Sequence, residues 1–184
     1  MPVEIKNFDE TQYNHEFISK LYDRGFFYRN YRDKRWKNLN MARLLHEYFG
    51  FSSVVDFGCG IGSYIEIFKS RGCEVKGFEY GFEAAKEFYD MVGLTKDEIA
   101  FGDVTKKIAL EKKYDAALCI EVAEHIPTSK SNMLVSNLTN ATDDLIIFSA
   151  AKIGQGGTGH INCQNKEFWT DLFDEQGWYL QDIR

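Results

Sequence analysis

The chain reads as a doubly wound α/β domain with a mostly parallel sheet. Three observations predict this. From residue 52 onward, short apolar runs alternate with amphipathic stretches at helical spacing. The runs are nearly continuous in Val, Ile, Leu, Phe and Ala, which suits strands covered on both faces. A glycine-rich turn joins the first run to the helix after it, where a doubly wound sheet binds its ligands. With 184 residues the chain is long enough to bury one substantial core.

Each element has its own warrant. Residues 11–24 place Phe17, Ile18, Leu21 and Tyr22 at helical spacing, and residues 40–49 do so with Met41, Leu44, Leu45 and Tyr48. Asn40 is the expected N-cap of that second helix and Gly50 its stop. Between them, residues 25–32 read as an aromatic and basic connector. These parts form an expected N-terminal helical cap over residues 1–50. The domain proper, residues 51–184, then runs in order. Strands are expected at 53–57, 74–79, 99–102, 114–120 and 145–149. Helices are expected at 64–70, 83–89, 129–139 and 166–176, the last ended by Gly177. Residues 178–183 read as a sixth strand. Right-handed crossovers complete the double winding.

Composition excludes several classes. The chain carries 22 Lys and Arg against 28 Asp and Glu, a net charge of −6. Duplex nucleic acid calls for a basic face, so a nucleic-acid partner is not expected. No apolar run approaches the roughly 20 residues of a membrane span, and no membrane partner is expected. The N-terminal residues lack the apolar core of a secretory signal. Cys59, Cys73, Cys119 and Cys163 show no zinc-like spacing, so a reduced, cytoplasmic chain is expected.

The sharpest local feature is Asp56-x-Gly58-x-Gly60-x-Gly62, between the first strand and its helix. Glycines there permit a sharp turn and close approach of a ligand to the backbone, and the helix start offers free N–H groups. Glu79 closes the second strand, where an acid can accept hydrogen bonds from both hydroxyls of a ribose. A dinucleotide fingerprint needs its third glycine at position 63, which is Ser63. The spacing, with Glu79, resembles instead the class I S-adenosylmethionine-dependent methyltransferase family. Phe101-Gly102-Asp103-Val104 and residues 114–121 resemble that family's third- and fourth-strand motifs. The resemblance covers about residues 50–180 and implies a Rossmann-like methyltransferase fold with S-adenosylmethionine as cofactor. It implies that Gly58, Gly60 and Gly62 approach the methionine end and that Glu79 holds the ribose. Tyr80 would lie against the adenine, and Asp103 with Val104 would read its edge. Asp56 would hold the glycine loop, and Glu121 would border the methyl donor.

After the fourth strand comes Glu121-Val122-Ala123-Glu124-His125, followed by Pro127. If it begins a helical turn, Glu121, Glu124 and His125 share one face. That is a mixed O and N set for a divalent metal. The same spacing resembles the metal-binding turn of small-RNA 2′-O-methyltransferases and of ubiquinone-pathway O-methyltransferases. His160, in a loop with glycines at 154, 156, 157 and 159, is the candidate to complete the set. Three readings stand side by side: a metal site, a general base at His125 or His160 with Glu121 beside it, and a structural turn on the cofactor side.

The expected function is therefore methyl transfer from S-adenosylmethionine to a small-molecule or sugar-like acceptor, with oxygen favoured. A nicotinamide-dependent oxidoreductase and a non-catalytic cofactor-binding module are the alternatives. Residues 25–36 are expected to cover the cofactor, with Tyr28, Tyr31 and Trp36 over it and Arg29 and Arg32 meeting its carboxylate. The resembled family's sheet has seven strands. Six are expected in this chain, so a missing last strand and weak homo-oligomerisation through an open edge are expected too.

Overall fold

The computed structural model describes residues 8–181. Its centre is a five-stranded parallel sheet in the order β3-β2-β1-β4-β5. The strands are β1 (Ser53–Phe57), β2 (Glu74–Glu79), β3 (Ile99–Phe101), β4 (Tyr114–Ile120) and β5 (Thr142–Ser149). Side chains of β1 alternate between two cores. Val54 packs with Ile65, Phe68, Phe88 and Ile99 on one face. Val55 and Phe57 pack with Leu134, Val135, Leu138 and Trp169 on the other. Helices α4 (Ser63–Ser70) and α5 (Phe82–Met91) cover the first face, and α6 (Ser131–Ala141) and α7 (Lys166–Asp174) the second.

The N-terminal part is more helical than its sequence suggests. After α1 (His15–Leu21), Asp23 caps α2 (Arg24–Arg29) by accepting from the Phe26 N–H at 2.7 Å. The chain then passes through a π-helical turn, Asn30–Lys34, into α3 (Arg35–Phe49). The expected connector over 25–32 is thus helix. A good cap starts it, and Phe27 anchors it in the core with 1% of its surface exposed. Asn40 lies inside α3 and caps nothing, because the chain enters α3 already helical. Gly50 does end the helix, in the left-handed conformation.

The C-terminal expectation also changes. Trp178–Gln181 form no strand, and 182–183 lie outside the described residues. Gly177 has φ +82°, and the Trp178 N–H bonds back to the Phe173 carbonyl at 3.0 Å. That closes α7 and turns the chain away, leaving Tyr179 and Leu180 exposed. β5 is the last strand of the described sheet.

The sheet order reverses between β1 and β4, so the loops leaving those two strands part company at their carboxyl ends. The site lies in that gap. Phe68 is the interior anchor beneath it, fully buried and ringed by Phe51, His46 and Tyr64. Phe68→Ala is expected to cost about 3–5 kcal/mol; chemical denaturation with an unchanged m-value checks this, and a loss under 1 kcal/mol would contradict the packing.

Candidate active site

A hollow of about 610 Å³ opens at the carboxyl ends of the strands. One half is built by the glycine loop. Gly58, Gly60 and Gly62 all have positive φ, between +58° and +81°. At Gly58 a Cβ would also stand 2.5 Å from the Val122 side chain, so neither backbone nor space admits another residue. The Gly58 and Cys59 N–H groups bond to the Phe78 carbonyl, and Tyr89 donates its hydroxyl to the Gly60 carbonyl at 2.8 Å. Glu79 accepts from the Gly60 and Gly81 N–H groups, each at 2.8 Å. Asp103 accepts from the Thr105 N–H and hydroxyl. Tyr80 rests near Phe101, with ring centres 5.4 Å apart. All these residues except Gly62, Gly81, Phe101, Tyr89, Phe78 and Thr105 line the hollow, as do Asp56 and Val104.

The other half gathers Glu124, His125 and His160. Glu124 is fully buried, and neither of its carboxylate oxygens has a hydrogen-bond partner. Its Oε1 stands 4.0 Å from His125 Nε2 and 3.9 Å from His160 Nε2. Each imidazole presents its other nitrogen to a carbonyl: His125 Nδ1 to Gly159 O at 3.2 Å, His160 Nδ1 to Gln155 O at 3.0 Å. A carbonyl only accepts, so each Nδ1 is the donor there, and each Nε2 is the ring nitrogen nearer Glu124. One ligand atom from each of the three lies within 4.8 Å of the others. The loop that bears His160 is held by main-chain bonds from Ile161 and Asn162 to the Glu124 carbonyl. Asn162 also donates to Ala123 O and Ser131 Oγ. Gly157 lies so close to the His160 ring that a Cβ there would be 2.0 Å from Nε2.

Glu121 is elsewhere. The expected helical turn does not begin at it: its φ is +56°, and only Ala123–His125 form a turn of 3₁₀ helix. Its carboxylate accepts from Ser149 Oγ at 2.8 Å at the rim of the hollow. A left-handed glutamate is strained backbone, a feature that clusters at functional sites.

The lid differs from expectation too. Tyr28 and Trp36 turn outward, and Tyr31 packs on Phe88. Arg32 pairs with Asp33, and Arg29 does not line the hollow. The walls come instead from Tyr13, Tyr22, Phe26, Asn30, Lys34 and Asn38. The buried Tyr22 hydroxyl has no partner, and its ring stands edge-on to His125. Nothing in the local sequence distinguished these from other residues of a helical run.

Electrostatics unify the hollow. Asp56, Glu79, Asp103, Glu121 and Glu124 line it, against Lys34 as its one lysine or arginine among the described residues. Burial, and then the Glu79 charge, push the Asp56 acid up to about 8. Burial also raises Glu79 against the pull of its N–H donors. Burial and the nearby Glu121 carboxylate lift Glu124 to about 7. Burial and His160 push His125 down to about 4. A pocket of this kind favours a cationic ligand, which stabilises the ionised carboxylates.

Comparison with known proteins decides the family. A family described as a methyltransferase domain matches residues 28–149. The chain belongs to it. It is a class I, S-adenosylmethionine-dependent methyltransferase domain, as the glycine spacing implied, and the nicotinamide alternative is not favoured. The domain is 29% identical over 103 residues to a magnesium-protoporphyrin O-methyltransferase of Synechocystis, covering 53% of this chain and 44% of that one. It is 30% identical over 109 residues to a ubiquinone biosynthesis O-methyltransferase of Burkholderia pseudomallei, covering 55% and 47%. The chain thus spans less than half the length of the curated relatives it matches. The crystal structure of the Synechocystis magnesium protoporphyrin IX methyltransferase with bound SAH superposes with a TM-score of 0.65. It is 18% identical and covers 92% of this chain and 91% of that one, which shows the shared fold.

The acid-rich pocket of this methyltransferase domain generates a pH prediction. As pH rises from 7 to 9, Asp56 loses its proton and adds a negative charge to the hollow. The affinity for S-adenosylmethionine should then rise relative to S-adenosylhomocysteine, which has no sulfonium. Calorimetry of both ligands across that window checks this. A constant ratio, or the same rise in Asp56→Asn, would remove Asp56 from the account.

Proposed function

We propose that the chain transfers a methyl group from S-adenosylmethionine to an oxygen of a small-molecule or sugar-like acceptor, with a divalent cation held at the acceptor half. One observation carries this reading: a fully buried carboxylate, Glu124, with both oxygens unpartnered between two imidazole nitrogens. Left alone, such a group is costly. Hydrogen-bonded partners that fix each Nδ1–H are what metal-ligating histidines have. Mixed N and O donors suit a first-row divalent ion, and Glu124, His125 and His160 are its proposed ligands. Glu121, the fourth member of the expected set, is assigned to the cofactor side instead; its bond to Ser149 Oγ at the rim supports this.

The names of the relatives, both O-methyltransferases, support an oxygen acceptor. In the cofactor half, Glu79 holds the ribose hydroxyls, Tyr80, Asp103 and Val104 the adenine, and Gly58, Gly60 and Gly62 the methionine end. Methyl transfer is an in-line displacement, so most of the catalytic effect lies in positioning and in a dry site. Tyr22, Phe26 and Ile18 exclude water from above. A bound cation would supply Lewis acidity that favours the ionised acceptor hydroxyl. His125 and His160 are oriented by the Gly159 and Gln155 carbonyls, so that their Nε2 atoms face that point. The buried ionisable cluster favours catalysis over a module that only stores the cofactor. Cys59, Cys73 and Cys119, buried and outside any disulfide, support a reducing, cytoplasmic setting. Among the described residues no helix is long and apolar enough to cross a membrane.

Two tests separate the halves. Glu79→Ala should weaken S-adenosylhomocysteine binding about ten- to hundred-fold while the circular dichroism stays native; unchanged affinity would sink the ribose assignment. Dialysis of the metal-free protein against zinc or manganese, followed by elemental analysis, should give about one ion per chain. Glu124→Ala and His160→Ala should each abolish that uptake yet keep cofactor affinity. Uptake that survives both changes would refute the cation site.

A further inference from the structure

The basic, aromatic segment that the pocket left unused forms a surface of its own. Between residues 28 and 48 the chain carries Arg29, Arg32, Lys34, Arg35, Lys37 and Arg43, against only Asp33 and Glu47. That is 6 − 2 = +4 within a chain of net −6. Both acids are already paired, Asp33 with Arg32 and Glu47 with Arg71. Lys37 and Arg43 have no ion pair among the described residues.

The same stretch gathers large apolar side chains in solvent. Trp36 is 70% exposed, Tyr48 69%, Leu44 59% and Met41 48%. At about 100° per residue, Trp36, Lys37, Met41, Arg43, Leu44, Glu47 and Tyr48 fall within an arc of about 160° on α3. The opposite side of α3 is committed: Ala42 is fully buried, Phe49 packs on the core and Arg35 binds Glu66. So one helix face joins Trp, Tyr, Leu and Met to a pair of free cations, on a protein otherwise acidic.

We infer that this face of α3 docks on an anionic lipid surface. Interfacial helices combine these residue types: the apolar and aromatic side chains enter the headgroup layer while Lys and Arg reach lipid phosphates. Charge complementarity is what selects the occupant. An anionic bilayer attracts this face, whereas it repels the acidic remainder of the molecule, so the protein arrives in one orientation. A second copy of the chain in a two-fold arrangement would set the basic face against its own image, at a cost in repulsion. Single-stranded RNA would use the aromatic rings and cations, yet it has no need of the exposed Leu44 and Met41. The chain's lack of a membrane-spanning run concerns insertion and leaves surface docking open. Phe26, Asn30, Lys34 and Asn38 wall the cofactor hollow from this same helical rod, so docking would bring the pocket wall close to the membrane.

The test is flotation with vesicles of phosphatidylcholine alone and of phosphatidylcholine mixed with phosphatidylglycerol. Two double variants accompany the native chain: Trp36→Ser with Leu44→Ser, and Lys37→Glu with Arg43→Glu. All four positions are exposed, and native circular dichroism with native S-adenosylhomocysteine affinity confirms the fold. The native chain should float with the phosphatidylglycerol vesicles and not with phosphatidylcholine alone, less so as salt is raised. Each double variant should lower the bound fraction about tenfold or more. No flotation of the native chain would overturn the inference, as would binding indifferent to both variants. Binding to polyuridine lost only in the charge-reversed variant, without vesicle binding, would overturn it in favour of RNA. A dimer in light scattering that both variants dissociate, again without vesicle binding, would overturn it in favour of self-association.

Discussion

The site rests on a carboxylate removed from water. Glu79, at the end of β2, accepts one N–H from the glycine loop of β1 and another from the turn into α5. Those two bonds tie together three segments that the sheet alone would leave free: the loop, the strand end and the next helix. Gly81 also lets Phe27 approach, since a Cβ there would meet the ring at 2.6 Å. The lid is thereby seated on the same short turn. A buried charge needs donors, and the fold supplies them from two glycine peptides: Gly60, at a positive φ that glycine adopts easily, and Gly81, where a side chain would strike Phe27. Catalytic geometry and loop conformation are one problem solved with one residue.

This arrangement has an electrostatic cost. Asp56 lies close enough to Glu79 to be raised by it, and Glu124 is raised in turn by burial and Glu121. The hollow concentrates negative charge in a poorly solvated space, where like charges repel strongly. Proteins hold such groups by protonation or by a cation. The two halves differ in which remedy suits them. Asp56 and Glu79 line the glycine-loop half of the hollow, which has room for a broad organic cation. Around Glu124 the donors are converging carboxylate and imidazole atoms, which a compact ion satisfies better. The sulfonium and the proposed metal are thus different answers to the same imbalance.

Much of the scaffold was legible in the chain. Parallel strands buried on both faces are mostly apolar, so β1 and the centre of β4 stand out as runs, and β2, though it carries Glu74 and Lys76, is bounded by the turn before it and Glu79 after; all three end where expected. The glycine loop and Glu79 were legible because their relation is local and their residue types are dictated by backbone geometry. The lid was harder to read. Residues 25–32 read as a connector, yet α2 and a π turn at Asn30–Lys34 make the segment helical, with Tyr28 and Trp36 exposed while Asn30 and Lys34 line the hollow. The Asp23 cap that starts this helix is a single residue ahead of an aromatic run, and it carries no periodic signal. Residues 178–180 mimic a strand in composition, but strand formation needs a partner edge, and the left-handed Gly177 directs the chain away from one. At Glu121 the error had a similar source. The spacing presumed a regular helix, while the chain leaves β4 through a strained residue that no periodicity announces.

That strained residue also explains how two half-sites meet. From Glu121 the chain has four residues to pass from the cofactor's edge to His125. A regular helix would keep Glu121 and Glu124 on one face, crowding two carboxylates against each other. The left-handed turn gives them different surroundings though they stay near enough to interact: Glu121 accepts from Ser149 Oγ on β5 at the rim, and Glu124 is buried beneath the His160 loop. The Glu124 carbonyl then receives the Ile161 and Asn162 N–H groups, so the peptide that bears the buried acid also positions the loop that bears its second imidazole. Strain at one backbone position is offset by two main-chain bonds a few residues on. The result is a cluster drawn from two segments far apart in sequence, the Ala123–His125 turn and the His160 loop, which share one peptide as their common support and are braced by Ser131 at the start of α6.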